Sequence, residues 1–182
     1  TIMQSILIRV MRPFLLKLCP IEYARWIGVK VGEGCRWVCP KASTFGSEPY
    51  LIEIGHHVSI GAGTRFITHD GGVWVFREER PTLDVMAGIR VGNNVFLGDE
   101  CLIMPGVRIE DNVVVGARSI VTRDIPANVV VVGAPAKVVS SLDDYRRRSE
   151  EKGQATKGMG REEKEAYLRG LRRDSSPGPG EP

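Results

Sequence analysis

Between Val85 and Val132 an aliphatic residue returns at almost every sixth position, and a small or β-branched residue follows it four places later. The openers are Val85, Val91, Leu97, Ile103, Ile109, Val115 and Val121, with Ile89, Val95, Cys101, Val107, Val113, Ser119 and Ile125 in fifth place. Upstream, Ile54, Ile60 and Phe66 open hexads with Val58 and Thr64 in fifth place, and a weaker hexad begins at Val31. Glycine recurs in second place, at Gly55, Gly61, Gly92, Gly98 and Gly116. Neither a helical nor a simple strand period keeps two such columns facing inward. A strand of about four residues with a two-residue corner does, and three such sides close a triangular coil that stacks on the next at roughly 4.8 Å. The corner pairs Ala62-Gly63, Asn93-Asn94, Asp99-Glu100 and Asp111-Asn112 suit turn dihedrals. The pattern predicts an all-β solenoid of about four or five coils, above the three that such a stack needs.

The flanks read differently. Ile2, Met3, Ile6, Leu7, Val10, Met11, Phe14, Leu15 and Leu18 recur at helical steps, which predicts an amphipathic helix over 2–18. Arg9, Arg12 and Lys17 interrupt it, so it is read as neither a membrane span nor a signal peptide but as a cap on the open end of the stack, in preference to peripheral membrane attachment. Pro20 starts a second short helix toward Ile27. From Trp37 to Pro49 the hexads are hard to follow, so the early coil is irregular and no site is expected there. Ser140 or Ser141 caps a helix through Arg148, Arg161–Arg173 forms another, and Ser175–Pro182 is a flexible tail. The expected organisation is a helical cap over 1–28, a β-solenoid over 29–139 with an extruded loop at 67–84, and a helical extension over 140–182.

Composition narrows this picture. A chain of 182 residues, 42% hydrophobic and with 21 glycines, suits one turn-rich domain with extensions. The formal charge is only +3, and the basic residues gathered after Tyr145 alternate with glutamates, which indicates a solvated helical face and no nucleic-acid partner. Of the four cysteines, Cys35 and Cys101 stand in fifth places and belong to the core. Cys39, four residues after Cys35, lacks the paired spacings of a structural zinc site. Reduced thiols in a cytoplasmic protein and no bound metal are the expectation.

The hexads fail from Ile67 to Asp84. Asp70 falls where the frame demands a small apolar side chain, and burying a carboxylate there would be costly, so the chain leaves the coil at His69. A loop on a rigid scaffold is where a functional group is displayed, and His69 is one of three histidines. An imidazole, with an ordinary pKa of roughly 6.5, can take a proton at neutral pH as a hydroxyl attacks a carbonyl. Asp70 could orient the ring, and Trp74 could stack on a sugar or pin the loop against a neighbouring subunit. His56 and His57 occupy a corner and are read as solvent-exposed turn residues.

The hexads resemble those of the left-handed parallel β-helix acyltransferases, the hexapeptide-repeat family. The likeness is strongest in Asn93–Gly98, Gly116–Pro126 and Gly133–Val138, which are similar to the closing coils of galactoside, maltose and antibiotic acetyltransferases. Residues 68 to 75, Thr-His-Asp-Gly-Gly-Val-Trp-Val, look most like the sugar O-acetyltransferases of bacterial surface polysaccharide synthesis. The resemblance implies left-handed winding, a homotrimer, acetyl-CoA as donor and His69 as general base. It also places donor contacts at Phe96, Gly98, Asp99, Gly116, Ala117, Thr122 and Lys137, with Phe96 standing where a Trp is more frequent and Asp99 where a small polar residue is. Lys137 suits the phosphate end of the donor. The expected reaction is acetyl transfer to a hydroxyl of a sugar or oligosaccharide. The alternatives are N-acetylation of an aminosugar and a zinc hydratase like the γ-class carbonic anhydrases, which would need His56, His57 and His69 around one metal.

Overall fold

The computed structural model describes residues 13–174, of which those up to Tyr145 and those from Arg146 onward fall in two compact units. In the first unit the strands are short, most of them two residues, because each hexad spends its remaining positions on a corner. β1 (Lys30–Val31), β3 (Ile52–Ile54), β6 (Ile89–Val91) and β9 (Arg108–Ile109) form one sheet. A second contains β2 (Arg36–Trp37), β4 (Ser59–Ile60), β7 (Phe96–Leu97), β10 (Val114–Val115), β12 (Val129–Val132) and β13 (Lys137–Ser141), and a third β5 (Arg65–Phe66), β8 (Leu102–Ile103) and β11 (Ile120–Val121). From β3 to β11 the chain visits these sheets in fixed rotation, and every pairing is parallel except β12 with β13. Three parallel sheets visited in turn are what a six-residue period requires.

The columns behave as the hexads predict. Val91, Leu97, Ile103, Ile109, Val115 and Val121 are all buried, as are Val95, Cys101, Val107, Val113, Ser119 and Ile125, and all but the polar Ser119 join one continuous hydrophobic core. Val85 does not belong to the column. It is half exposed, with its carbonyl accepting from the Asp70 N–H, and the repeat resumes at Ile89. Cys35 is only partly covered, because it lies in the first coil, which has a stacked coil on one side only.

The second-place glycines set the coil spacing. A Cβ on Gly61 would meet the Gly98 carbonyl carbon at 2.5 Å, and one on Gly98 would meet the Ala117 nitrogen at 2.5 Å. At one corner, His57, Asn94, Asn112 and Asn128 share a left-handed backbone, with φ of 55°, 53°, 58° and 62°. Their side chains form a ladder: His57 Nδ1 meets Asn94 Oδ1 at 2.9 Å, Asn94 Nδ2 donates to Asn112 Oδ1 at 2.8 Å, and Asn112 Nδ2 donates to Asn128 Oδ1 at 3.1 Å. Asparagine tolerates this conformation and bonds to its counterpart one coil away, so sequence choice and stacking agree.

The irregular early coil has its own logic. Thr44 supplies the carbonyl that accepts from Phe66 N–H, and Phe45 inserts between Trp37 and Phe66 with ring centroids 5.0 and 5.3 Å away. Aromatic packing there replaces an aliphatic hexad. Helix α1 (Pro20–Trp26) packs on β1 and β2 through the buried Tyr23 and Ala24. Residues 2–12 of the predicted amphipathic helix and the tail from Ser175 lie outside the described residues. Within 13–18, which is helical, Leu15 packs on the core as the expected stripe requires and Leu16 joins it, whereas Phe14 and Leu18 of that stripe are exposed. Among the described residues no helix is long and apolar enough to cross a membrane. Ser141 Oγ accepts from the Asp144 N–H at 3.0 Å and caps α2 (Leu142–Lys152). In the second unit, α3 (Arg161–Asp174) carries an Arg169–Glu165 pair at 2.7 Å.

Candidate active site

The excursion from the coils begins and ends at one narrow neck. Asp70 N–H donates to Val85 O and Ala87 N–H to Thr68 O, which places His69 opposite Met86 in an antiparallel bridge. Beyond the neck, Gly71–Phe76 forms a 3-10 helix. Asp70 caps it by accepting from Gly72 N–H at 2.8 Å. Val73 is buried and anchors the turn, and Arg77 closes the excursion with bonds to Pro81 O and Asp84 Oδ1 at 2.9 and 3.0 Å. His69 therefore stands on fixed backbone at the edge where the third sheet passes into the first.

The carboxylate beside His69 is Glu48. Its Oε2 lies 3.2 Å from His69 Nδ1 and accepts from Thr68 Oγ1 at 2.8 Å. Glu48 is largely enclosed, with 12% of its side chain exposed, whereas that of His69 is 45% exposed. The Thr68 and Ser47 hydroxyls, and then His69, hold the Glu48 carboxyl below the usual range against the opposing effect of desolvation. An ionised carboxylate only accepts, so Nδ1 donates to it, and in a neutral imidazole Nε2 is then the accepting nitrogen. That arrangement can remove a proton from a bound hydroxyl.

Sequence reasoning placed no function on Glu48. It sits in the segment where the hexads fail, and the insertion of Phe45 together with the positive φ of Gly46 (63°) carries it back against Thr68 and His69. Asp70, expected as the orienting carboxylate, instead bonds the loop backbone. Trp74 projects from the 3-10 helix and is 74% exposed. His56 Nδ1 accepts from Glu33 N–H at 3.0 Å and His57 belongs to the corner ladder, so neither is directed at His69. Among the described residues no cluster of three His, Cys, Asp or Glu side chains is placed to hold a metal.

The residues expected to contact the donor divide between two edges. Phe96, Gly98 and Asp99 lead through the corner from the second sheet to the third, and Gly116 and Ala117 occupy the same corner one coil on. Asp99 is engaged there, its Oδ1 accepting from Ala62 N–H at 2.7 Å. Lys137 opens β13 opposite Val132, whose side chain adjoins Gly116. Thr122 follows β11 and falls in the column of Ile67 and Met104, on the edge that carries His69 but two coils away. Within one chain, the third sheet separates the imidazole from the Gly98 and Ala117 corner.

Comparison with known proteins agrees with this architecture. Residues 88–123 match the family described as bacterial transferase hexapeptide (six repeats). The chain is 49% identical to Protein CapG of Staphylococcus aureus over 144 residues, covering 79% of this chain and 84% of that protein. It is 54% identical to the galactoside O-acetyltransferase of Escherichia coli over 99 residues, 53% of this chain and 47% of that one. Among solved structures, a galactoside acetyltransferase in complex with coenzyme A aligns with a TM-score of 0.53 and 27% identity, over 76% of this chain and 74% of that one. A hexapeptide-repeat acetyltransferase of Vibrio cholerae complexed with acetyl coenzyme A aligns with a TM-score of 0.53 and 26% identity, over 67% and 75%. The repeat, the rotating sheets and the histidine at the loop neck define a hexapeptide-repeat scaffold. The chain belongs to the bacterial transferase hexapeptide family.

Proposed function

We propose that this protein transfers the acetyl group of acetyl-CoA to a hydroxyl of a sugar, in the making of a bacterial surface polysaccharide. His69 is the general base. The pairing of His69 Nδ1 with Glu48 carries this reading, because it leaves Nε2 as the proton acceptor at the mouth of an extruded loop. As the acceptor oxygen bonds to the thioester carbonyl carbon, its proton passes to Nε2. Collapse of the tetrahedral intermediate breaks the C–S bond, and the imidazolium returns the proton to the departing thiolate. No acyl-enzyme is needed. Kinship with proteins solved with coenzyme A and acetyl coenzyme A supports the donor. Likeness to a galactoside O-acetyltransferase supports a sugar acceptor.

In this reading the coils wind left-handed, as in the family, and three copies associate in the cytoplasm. The split of candidate donor contacts between two edges supports the assembly: a groove between neighbouring copies would bring the corner of Gly98 and Ala117 in one chain to the His69 edge of the next. Phe96, Gly116, Thr122 and Lys137 then line the donor path, Asp99 shapes its corner, Trp74 meets the acceptor, and Asp70 positions the loop. The deciding experiment is His69→Ala. Turnover should fall by about two to four orders of magnitude, the range of general-base catalysis, while acetyl-CoA still binds. Unchanged turnover would reject His69 as the base. Comparing hydroxyl and amine acceptors separates sugar O-acetylation from aminosugar N-acetylation.

A further inference from the structure

The outer face of the first sheet carries a row of charged side chains in register: Lys30 opposite Glu53, Glu53 opposite Arg90, and Arg90 opposite Arg108. Glu53 is shared, bonding Lys30 Nζ at 2.8 Å and Arg90 Nε at 3.1 Å. The row therefore holds three cations and one carboxylate, which is bonded to two of them. The Arg108 guanidinium has no acidic partner among the described residues, and the nearby Asp124 carboxylate is taken by the Arg108 backbone N–H at 2.7 Å. Two arginines on neighbouring strands, one of them unpaired, repel each other unless an anion lies between them.

They also line a cleft of ≈ 310 Å³. Tyr50, Leu51, Gly88, Gly106 and Val107 are among its other lining residues, and so is Glu53, whose carboxylate is already bonded to Lys30 and Arg90. Two of these segments continue directly from the catalytic pair. Tyr50 lies two residues beyond Glu48, and Gly88 two residues beyond Met86, which is bridged to His69. Tyr50 is 63% exposed and offers a ring face and a hydroxyl. Glycine at 88 and 106 leaves the floor open; a Cβ on Gly88 would meet Leu51 O at 3.1 Å. A guanidinium pair beside an aromatic ring suits a planar or tetrahedral oxyanion attached to a sugar.

We infer that the acceptor is a negatively charged sugar, and that Arg90 and Arg108 hold its carboxylate or phosphate in this cleft while a hydroxyl reaches His69. The inference rests on the transferase reading above, and it names the class of acceptor.

The test measures binding by ligand-observed NMR in the presence of coenzyme A, using galacturonate, galactose 1-phosphate and galactose. The wild-type protein should bind one or both anions at least tenfold more tightly than galactose, and the stronger of the two identifies the group. In Arg108→Gln the preference should fall to within about twofold, while Arg108→Lys retains part of it and acetyl-CoA binds both variants as it binds the wild type. Equal affinity for all three sugars would overturn the inference. So would a loss of acetyl-CoA binding in Arg108→Gln, because the arginines would then serve the donor. His69→Ala separates the two levels. His69-dependent turnover without anion preference sinks the anion site alone, whereas anion preference without His69-dependent turnover sinks the transferase reading. Arg108 is exposed, so a melting temperature close to wild type confirms that Arg108→Gln is folded.

Discussion

Replacing Glu48 by Gln keeps the shape of the group that holds His69 and removes its charge. Two donors converge on one oxygen, Thr68 Oγ1 at 2.8 Å and His69 Nδ1 at 3.2 Å. The amide oxygen can still accept both if the NH₂ points away, so the ring keeps its orientation but loses a charge-assisted bond. Such a bond exceeds a neutral one by roughly 1–2 kcal/mol. His69 is 45% exposed and water screens part of the charge, so the lower half of that range applies. A loss of about 1 to 1.5 kcal/mol in transition-state stabilisation is a fall of roughly five- to thirteenfold in kcat, because 1.36 kcal/mol is tenfold. Acetyl-CoA KM should not move. Release of coenzyme A thiol can be followed with a chromogenic thiol reagent, after subtracting the constant contribution of the exposed Cys19 and Cys39. If Glu48→Gln runs within twofold of wild type while His69→Ala is inactive, the carboxylate does not orient the base and the proposed pair is wrong.

Three further outcomes follow from the same contacts. The folded Glu48 carboxyl has a lowered pKa, so its stabilisation is complete above the ordinary glutamate value of about 4.3 and is lost as pH falls through the folded value. Urea melts should therefore show wild type more stable than Glu48→Gln at pH 7, with the gap narrowing as the pH falls below the ordinary glutamate value. Asn112→Ala removes two ladder bonds and places alanine at a φ of 58°, which should cost roughly 2–3 kcal/mol by chemical denaturation, whereas Asn112→Gly, which suits that backbone, should cost less. Trp74→Ala should leave the melting temperature within about a degree, since the side chain is 74% exposed, yet raise KM for the sugar; unaltered acceptor kinetics would deny Trp74 a place in the site.

The stacked coils were legible because burial in them is strictly periodic: one change of period explains Val91 through Val121, and Asn94 and Asn112 announce their corner by tolerating its dihedrals. Local apolar runs misled. Val85 sits in frame with the column, yet it belongs to the neck of the loop, where its carbonyl rather than its side chain is used. His69 was visible as the point where a carboxylate at position 70 broke the frame. Glu48 was not, because it reaches His69 across 21 residues through a segment organised by aromatic packing, which carries no period. The charged row on the first sheet is silent in sequence as well, since Lys30, Glu53, Arg90 and Arg108 become neighbours only once the coils are in register.

The last strand of the second sheet runs against the others. By reversing over β12, β13 occupies backbone donors and acceptors that would otherwise invite another molecule to add its own strand in parallel. A stack built from near-identical rungs has no internal reason to stop, and without such a terminus copies could join end over end into fibres. The antiparallel turn at Gly133 to Ala136 folds the chain back on itself, so that the second sheet is ended by the same polypeptide that builds it.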